Sequence, residues 1–181
     1  DRIFGFARAC VGHWPGGLGQ VNILSSVIFS GMSGAAVADA AGLGAIEMKA
    51  MNDAGFDKTF SAGITAASST IGPVIPPSIP FIVYASIVGA SVGKLFMAGF
   101  LPGLLMAVAM GISVYITSKR KGYPTEPKMP WKLRMKMFVR AIPSLMTIVI
   151  IIGGIWGGFF TPTEAAAIAS VYGIFVGFVI Y

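Results

Sequence analysis

The chain has 181 residues, of which 55% are hydrophobic and 11% are charged, and its mean hydropathy is +0.81. Soluble domains contain about a quarter charged residues, so this composition excludes an ordinary soluble core. The net charge is +6, but most basic residues are confined to one connector between apolar segments, which argues against a nucleic-acid-binding surface.

Four apolar stretches approach or exceed the length of about 20 residues that a helix needs to cross a bilayer. They cover residues 17–51, 59–88, 92–117 and 141–160, and a fifth begins at Ala165. The chain begins without an initiator Met and stops inside an apolar run, so we expect a fragment of a longer multi-pass protein. Cys10 is the one cysteine and indicates neither a disulfide nor a redox pair.

The first stretch is interrupted near its middle by residues that a lipid-facing helix would not carry. These residues are Gly31, Ser33, Gly34 and Asp39. We predict a re-entrant hairpin over residues 20–51, preceded by a cytoplasmic-side flank at residues 1–19. Its arms, residues 20–32 and 40–51, would be about 18–20 Å long, too short for a hydrocarbon core of ~30 Å. A continuous kinked span is the alternative.

The second stretch, residues 59–90, is predicted to be a broken transmembrane helix. Residues 68–78 contain three prolines, each of which removes a backbone donor and restricts the preceding residue. Helix is expected before this loop and again over residues 79–88. Unwound backbone at membrane depth is tolerated only where it is buried in protein or lines a watery cavity, so we expect this loop to face a site.

A basic connector at residues 118–140 separates predicted transmembrane helices at residues 92–117 and 141–160. It holds eight of the 13 basic residues, namely Lys119, Arg120, Lys121, Lys128, Lys132, Arg134, Lys136 and Arg140. By the positive-inside rule we expect the connector to face the cytoplasm. A patch for acidic lipid headgroups would lie on the same side. The hairpin topology leaves Lys94 as the one basic residue outside, which favours it over the continuous span.

The last segment, residues 163–181, is predicted to begin another helix. Thr161 as N-cap, Pro162 at the first helical position and Glu164 three residues after the cap form a capping box. We therefore predict a structural and not a catalytic role for Glu164.

The hairpin tip and the proline-rich loop are the two places where hydroxyls, free carbonyls and half-helix ends occur together. Half-helix N-termini favour anions, while unwound carbonyls and hydroxyls can coordinate Na⁺. Asp39 is taken as the one acid in the hairpin's interior, and an intramembrane acid is a functional hypothesis by default. The candidate Na⁺ ligands are Ser33, Ser68, Ser69, Thr70, Gly72 and Asp39. Alternatively, the serines bond to carbonyls one turn earlier and Asp39 caps the returning arm.

Two runs carry a resemblance to a known family. They are GMSGAAVADA at residues 31–40 and AASSTIGPVIPPSIP at residues 66–80. Both resemble the large membrane subunit, of DctM type, of tripartite ATP-independent periplasmic (TRAP) transporters. The resemblance extends to residues 16–18, 98–103 and 160–167, and so covers essentially the whole chain.

This resemblance implies an all-α membrane bundle in the bacterial inner membrane, with a Na⁺-coupled, elevator-type mechanism. Two inverted repeats would each contribute a hairpin and a broken helix, and this chain would hold the first repeat and the start of the second. The implied partners are a small membrane subunit of DctQ type and a periplasmic binding protein that delivers an organic acid of the dicarboxylate or sialic-acid class. The implied substrate contacts are Ser33, Gly34, Ala35, Ser69, Thr70 and Pro76.

Parts of the sequence also resemble other classes of membrane protein. Residues 31–34 also spell the G-x-S-G pattern of rhomboid intramembrane proteases, with Ser33 as nucleophile and His13 as the available base. In rhomboids the base follows the serine, whereas His13 precedes Ser33, and a nucleophile without a base in reach is not a catalyst. Aspartyl intramembrane proteases need two membrane acids, and Asp39 alone was identified. An ion channel is the remaining alternative.

Overall fold

The computed structural model describes residues 2–180, with side chains described over residues 2–179. Over that range the chain forms eight α-helices and a final π-helical turn, with no strand. The helices are α1 (Arg2–Val11), α2 (Gly17–Ser33), α3 (Ala36–Asp53), α4 (Lys58–Ser69), α5 (Ile79–Val88), α6 (Val92–Lys121), α7 (Trp131–Trp156) and α8 (Pro162–Phe175), and the turn covers Val176–Ile180. The predicted all-α class is confirmed, and Tyr181 of the last predicted segment lies outside the described residues.

Helices α2 and α3 form a helical hairpin around a two-residue turn. Gly34 ends α2 in the left-handed conformation, with φ 62°, and its N–H donates to the carbonyl of Ser30 at 3.2 Å. Glycine adopts this conformation without a Cβ penalty. Residues 20–51 therefore form a helical hairpin and not one continuous helix, and the re-entrant path of this hairpin stays a prediction.

The arms of the hairpin are longer than the sequence predicted. Helix α2 has 17 residues and α3 has 18, which corresponds to about 25 Å and about 27 Å at a rise of ~1.5 Å per residue. The predicted length of 18–20 Å was wrong because Ser33 and Asp39 are accommodated inside the helices, leaving a turn of two residues. The alternative role of Asp39 as helix cap is also wrong, since Ala35 is the N-cap of α3.

The predicted break in the second apolar stretch is confirmed. Helix α4 begins where the Asp57 side chain accepts the N–H of Phe60 at 2.9 Å, and it ends at Ser69. Residues 70–78 form consecutive turns that include a cis peptide between Pro76 and Pro77. Helix α5 resumes where Ser78 Oγ accepts the N–H of Phe81 at 3.3 Å.

Three segments of the described chain are long and apolar enough to cross a bilayer: Val92–Lys121, Trp131–Trp156 and Pro162–Val179. Helix α6 exposes Met97, Leu101 and Leu105 along one face, at 65%, 64% and 60%. Such a continuous apolar face is the composition expected of a surface that meets lipid. Helix α7 begins at Trp131, within the predicted connector, so the second half of that connector is helical.

The capping box at the start of α8 is confirmed. Thr161 Oγ1 accepts the N–H of Glu164 at 3.4 Å, and the Glu164 carboxylate accepts the N–H of Thr161 at 2.8 Å. The side chain of Glu164 is thus used to satisfy the free donors at a helix N-terminus.

The basic connector contacts the end of the bundle at which α1 ends and α4 begins. Arg8 Nε donates to both carboxylate oxygens of Glu126, at 2.8 and 2.7 Å, and this hydrogen-bonded pairing raises the pKa of Arg8. The Tyr123 ring lies 4.6 Å from that of Phe56 and 5.0 Å from that of Phe60, between ring centroids. The segments predicted to share one side of the membrane therefore lie at one end of the molecule.

Gly99 of α6 packs closely against the proline-rich loop, and its replacement by Ala should destabilise the fold. A Cβ at Gly99 would lie 2.6 Å from the carbonyl oxygen of Val74 and would also meet the Phe81 ring. We expect a loss of about 1–3 kcal/mol in the free energy of unfolding, as for other overpacked sites. Thermal unfolding in detergent measures it, with Gly153→Ala as control, because no atom lies within 4 Å of that position. Equal melting of both variants would contradict the assignment.

Candidate cation and substrate site

Four helix ends meet where the hairpin tip contacts the proline-rich loop. The N–H of Ile79 donates to the carbonyl of Gly34 at 3.4 Å, and a Cβ at Gly34 would collide with the carbonyl oxygen of Pro77. A Cβ at Gly72 would lie 3.3 Å from the carbonyl carbon of Ala35. The C-terminal ends of α2 and α4 and the N-terminal ends of α3 and α5 therefore lie together.

This arrangement offers opposite partial charges within one small region. The C-terminal end of a helix carries about half a negative charge and attracts cations, while the N-terminal end carries the opposite charge and attracts anions. Four ends of both kinds can bind a cation beside a carboxylate, as in transporters with discontinuous helices.

The predicted hydroxyl ligands lie on the last turns of α4, and they bond to carbonyls of their own helix. Ser69 Oγ donates to the carbonyl of Thr65 at 2.8 Å and Thr70 Oγ1 donates to that of Ala67 at 2.6 Å. Ser69 is buried and Thr70 is exposed. These back-bonds are the alternative considered for the sequence, but they use only the hydroxyl hydrogen and leave oxygen lone pairs available.

Ser68 belongs to a buried polar network that joins α2 to α4. Ser68 Oγ donates to Asn22 Oδ1 at 2.6 Å, and Asn22 Nδ2 donates to Thr65 Oγ1 at 2.8 Å. Ser26 Oγ donates to Ser68 Oγ at 3.1 Å. All four side chains are at most 4% exposed. Asn22, Ser26 and Thr65 were not identified from the sequence, although polar residues one helical turn apart in an apolar segment were the available signal.

Asp39 lies against this network. It is 1% exposed, and neither carboxylate oxygen has a hydrogen-bond partner among the described residues. The hydroxyls of Ser26 and Ser69 are the polar groups beside it. Each hydroxyl also has another acceptor within reach, Ser68 Oγ for Ser26 and the Thr65 carbonyl for Ser69, and each keeps oxygen lone pairs. A buried carboxylate beside hydroxyl oxygens is a suitable environment for a cation.

The other residues predicted for the site lie in two different environments, one polar and one apolar. Ser33 Oγ is buried and has no hydrogen-bond partner in the described part of the chain. Pro76, by contrast, lines an apolar pocket of about 170 Å³ together with Ile148 and Ile152 of α7. The structure therefore places Pro76 against α7, whereas Gly34, Ala35 and Gly72 form the contact between tip and loop.

The hairpin interior contains a second buried acid that the sequence reasoning missed. Glu47 of α3 is 1% exposed, so Asp39 is not the one acid there. Glu47 lies two residues before the exposed Lys49. In the sequence, this pair is typical of a polar segment at the end of a membrane helix, which is why Glu47 was not identified.

A serine protease site is not formed by Ser33 and His13. Ser33 is the last residue of α2, and His13 precedes the first residue of that helix. The 17 residues of α2 separate them by about 25 Å, far beyond hydrogen-bond reach.

A family model described as the tripartite ATP-independent periplasmic transporter, DctM component, matches residues 1–181. The chain belongs to the DctM family. It is 51% identical over 181 residues to the sialic acid TRAP transporter large permease protein SiaM of Vibrio cholerae, covering 100% of this chain and 42% of that protein. It is 48% identical over 181 residues to the sialic acid TRAP transporter permease protein SiaT of Haemophilus influenzae, covering 100% of this chain and 29% of that protein.

A third relative is the C4-dicarboxylate TRAP transporter large permease protein DctM of V. cholerae, 41% identical over 180 residues, with 99% of this chain and 40% of that protein covered. The chain thus spans less than half the length of these DctM relatives. Their names describe permeases and not enzymes, which confirms the expected family and the exclusion of a protease.

Gly34 is the residue on which the meeting of tip and loop depends, so Gly34→Ala should be strongly destabilising. It has φ 62° and lies against the Pro77 carbonyl, whereas Gly55 has φ 89° and no atom within 4 Å. The left-handed conformation alone costs about 1–2 kcal/mol for a residue with a Cβ. We expect Gly55→Ala to show this cost and Gly34→Ala to exceed it, measured by thermal unfolding in detergent. A Gly34→Ala protein as stable as Gly55→Ala would show that the tip does not press on the loop.

Proposed function

We propose that this protein forms part of the permease of a tripartite ATP-independent periplasmic transporter in the bacterial inner membrane. The permease imports an organic acid together with Na⁺. The observation that carries this proposal is the buried Asp39 carboxylate, which lies beside the Ser26 and Ser69 hydroxyls and near four converging helix ends. Family membership supports the transporter class, and the residues at the tip support the coupling ion.

A Na⁺ ion fits the donor set at this site. Asp39 supplies a carboxylate, Ser33, Ser68, Ser69 and Thr70 supply hydroxyl oxygens, and the last turns of α2 and α4 supply carbonyls. Hard cations prefer oxygen ligands of these kinds. A Na⁺ held by these residues would supply positive charge that balances Asp39 and the partial negative charge at the C-terminal ends of α2 and α4. Gly72 allows the loop backbone to approach the tip closely.

The substrate is an organic acid, with the sialic-acid class favoured over the four-carbon dicarboxylates. The sialic acid permeases are 51% and 48% identical to this chain, against 41% for the C4-dicarboxylate permease of V. cholerae. A substrate carboxylate is suited to the free N–H groups at the starts of α3 and α5. Ser33, Gly34, Ala35, Ser69 and Thr70 are the proposed contacts on this half of the site, and Pro76 supports the loop from its apolar side.

An elevator-type movement is supported by how the helices are joined. Helices α2 and α4 share a buried polar network and α3 packs against both, so hairpin and broken helix can move as one unit. Helix α6 presents a long apolar face that suits sliding contact with lipid or with a membrane scaffold. The proposed partners are a small membrane subunit of DctQ type and a periplasmic binding protein.

Replacing Asp39 or Ser69 should weaken Na⁺ coupling. Loss of a hydrogen bond or ion contact to a charged group costs about 1.5–3 kcal/mol, so Asp39→Asn or Ser69→Ala should raise the half-saturating Na⁺ concentration about tenfold or more. The measurement is Na⁺-dependent uptake of sialic acid by the complete transporter in proteoliposomes.

Matched controls are available for both substitutions. Asp53→Asn removes an exposed acid from the same helix, and Ser86→Ala removes an exposed hydroxyl that also bonds to its own helix, at 2.7 Å to Val83 O. Both controls should behave as wild type. Normal Na⁺ dependence in Asp39→Asn and Ser69→Ala would remove the proposed site.

The tripartite assembly makes a separate prediction. Uptake by the reconstituted permease should stop when the periplasmic binding protein is omitted and should return when it is added back. Substrate flux or ion conductance by the membrane part alone would instead favour a simple carrier or a channel.

A further inference from the structure

Glu47 is a buried acid that the proposed Na⁺ site does not use. It lies in α3, is 1% exposed, and its Oε1 has no hydrogen-bond partner among the described residues. It belongs to the same buried interface of α2, α3 and α4 as Asp39, about two helical turns further along α3.

Ser25 of α2 is the polar neighbour of Glu47. The Ser25 hydroxyl interacts with the Glu47 carboxyl, but the geometry between them does not complete a hydrogen bond. Ser25 is 0% exposed, and its Oγ is also without a partner in the part of the chain described. Two neighbouring buried oxygens without hydrogen-bond partners lower the free energy of unfolding, unless a ligand binds to them.

No buried basic residue on α2, α3 or α4 compensates the charge of Glu47. Helix α2 carries no titratable residue, and on α4 the one titratable residue is Lys58, which is exposed at its N-terminus. On α3 itself Lys49 and Asp53 are exposed and Asp39 is buried. The Asp39 carboxyl acts on Glu47 electrostatically, and Glu47 forms no salt bridge within residues 2–179. The interface therefore holds two buried acids and no buried base.

The helices around these acids are packed too closely to hydrate them well. Gly44 lies between Asp39 and Glu47 on α3, and a Cβ there would lie 2.7 Å from the methyl carbon of Thr65 on α4. Burying an ionised carboxylate without compensation costs several kcal/mol. The compensating positive charge must come from outside the chain.

We propose that Glu47 and Ser25 form a second site for a small monovalent cation, a proton or Na⁺, separate from the site at the hairpin tip. Glu47 lies on the side of Asp39 nearer the basic connector, because the residues that follow α3 stack on Tyr123. The site adds a second ion position to the proposed transport function, but its existence does not rest on transport.

Infrared difference spectroscopy on the complete transporter in lipid nanodiscs tests the site directly. In one arm the pH is lowered in buffer that contains N-methyl-D-glucamine and no Na⁺. In the other arm Na⁺ replaces N-methyl-D-glucamine at constant pH. We expect a carboxyl signal in one arm that is lost in Glu47→Gln and kept in Asp53→Asn. Its appearance on acidification assigns a proton, and its appearance on Na⁺ addition assigns Na⁺.

Spectra of Glu47→Gln that coincide with those of wild type in both arms would overturn the proposal. If Glu47→Gln does not fold, Ser25→Ala takes its place, because it leaves the carboxyl present. In Ser25→Ala the titration midpoint of the signal should move by about tenfold in proton or Na⁺ concentration. An unmoved midpoint would equally overturn the site.

Uptake measurements separate this proposal from the proposed function. In proteoliposomes Glu47→Gln should shift the dependence of sialic acid uptake on pH or on Na⁺ about tenfold, while Asp53→Asn should not. Absence of uptake in wild type would refute the proposed substrate or coupling and leave the infrared result standing. If the infrared signal is lost in Glu47→Gln but uptake is unchanged, the site binds a cation without contributing to transport. That result would overturn the proposal that this cation takes part in the transport cycle.

Discussion

The structure depends on one constraint, which is that backbone leaving a helix inside an apolar molecule must still find hydrogen-bond partners. Two such breaks occur, one after α2 and one after α4, and a backbone hydrogen bond joins them. The Ile79 N–H donates to the Gly34 carbonyl, and the loop turns on itself through the Ser69 carbonyl, which accepts the Gly72 N–H. The hairpin and the broken helix therefore meet directly at these two breaks.

The same unit is held together by polar as well as apolar contacts in its interior. Asn22, Ser26, Thr65 and Ser68 exchange hydrogen bonds between α2 and α4 where an ordinary bundle would place leucine. A satisfied buried network specifies one arrangement of helices more sharply than apolar packing does. The two acids beside it are not satisfied, and this contrast separates the residues that support the unit from those proposed to bind ions.

Much of the fold could be predicted from sequence because the relevant signals are local. Prolines in residues 68–78 exclude regular helix, the Thr161 capping box begins α8, and the apolar lengths indicate the membrane segments. The arm lengths could not be predicted, since Ser33 and Asp39 read as turn residues but are tolerated in helices when a neighbouring helix covers them. Glu47 was missed for the same reason, because its burial depends on α2.

The sequence by itself therefore determined the class of protein, the positions of the two breaks and the residue types available for an ion. These follow from composition, from proline and glycine chemistry and from charge distribution, all of which act within a few residues. Only the tertiary structure decided that the Gly34 turn touches Pro77, that Asp39 faces Ser26 and Ser69, and that Glu47 lies beside Ser25. Those contacts join residues from different helices, and their energies come from burial and desolvation, which depend on how the helices pack.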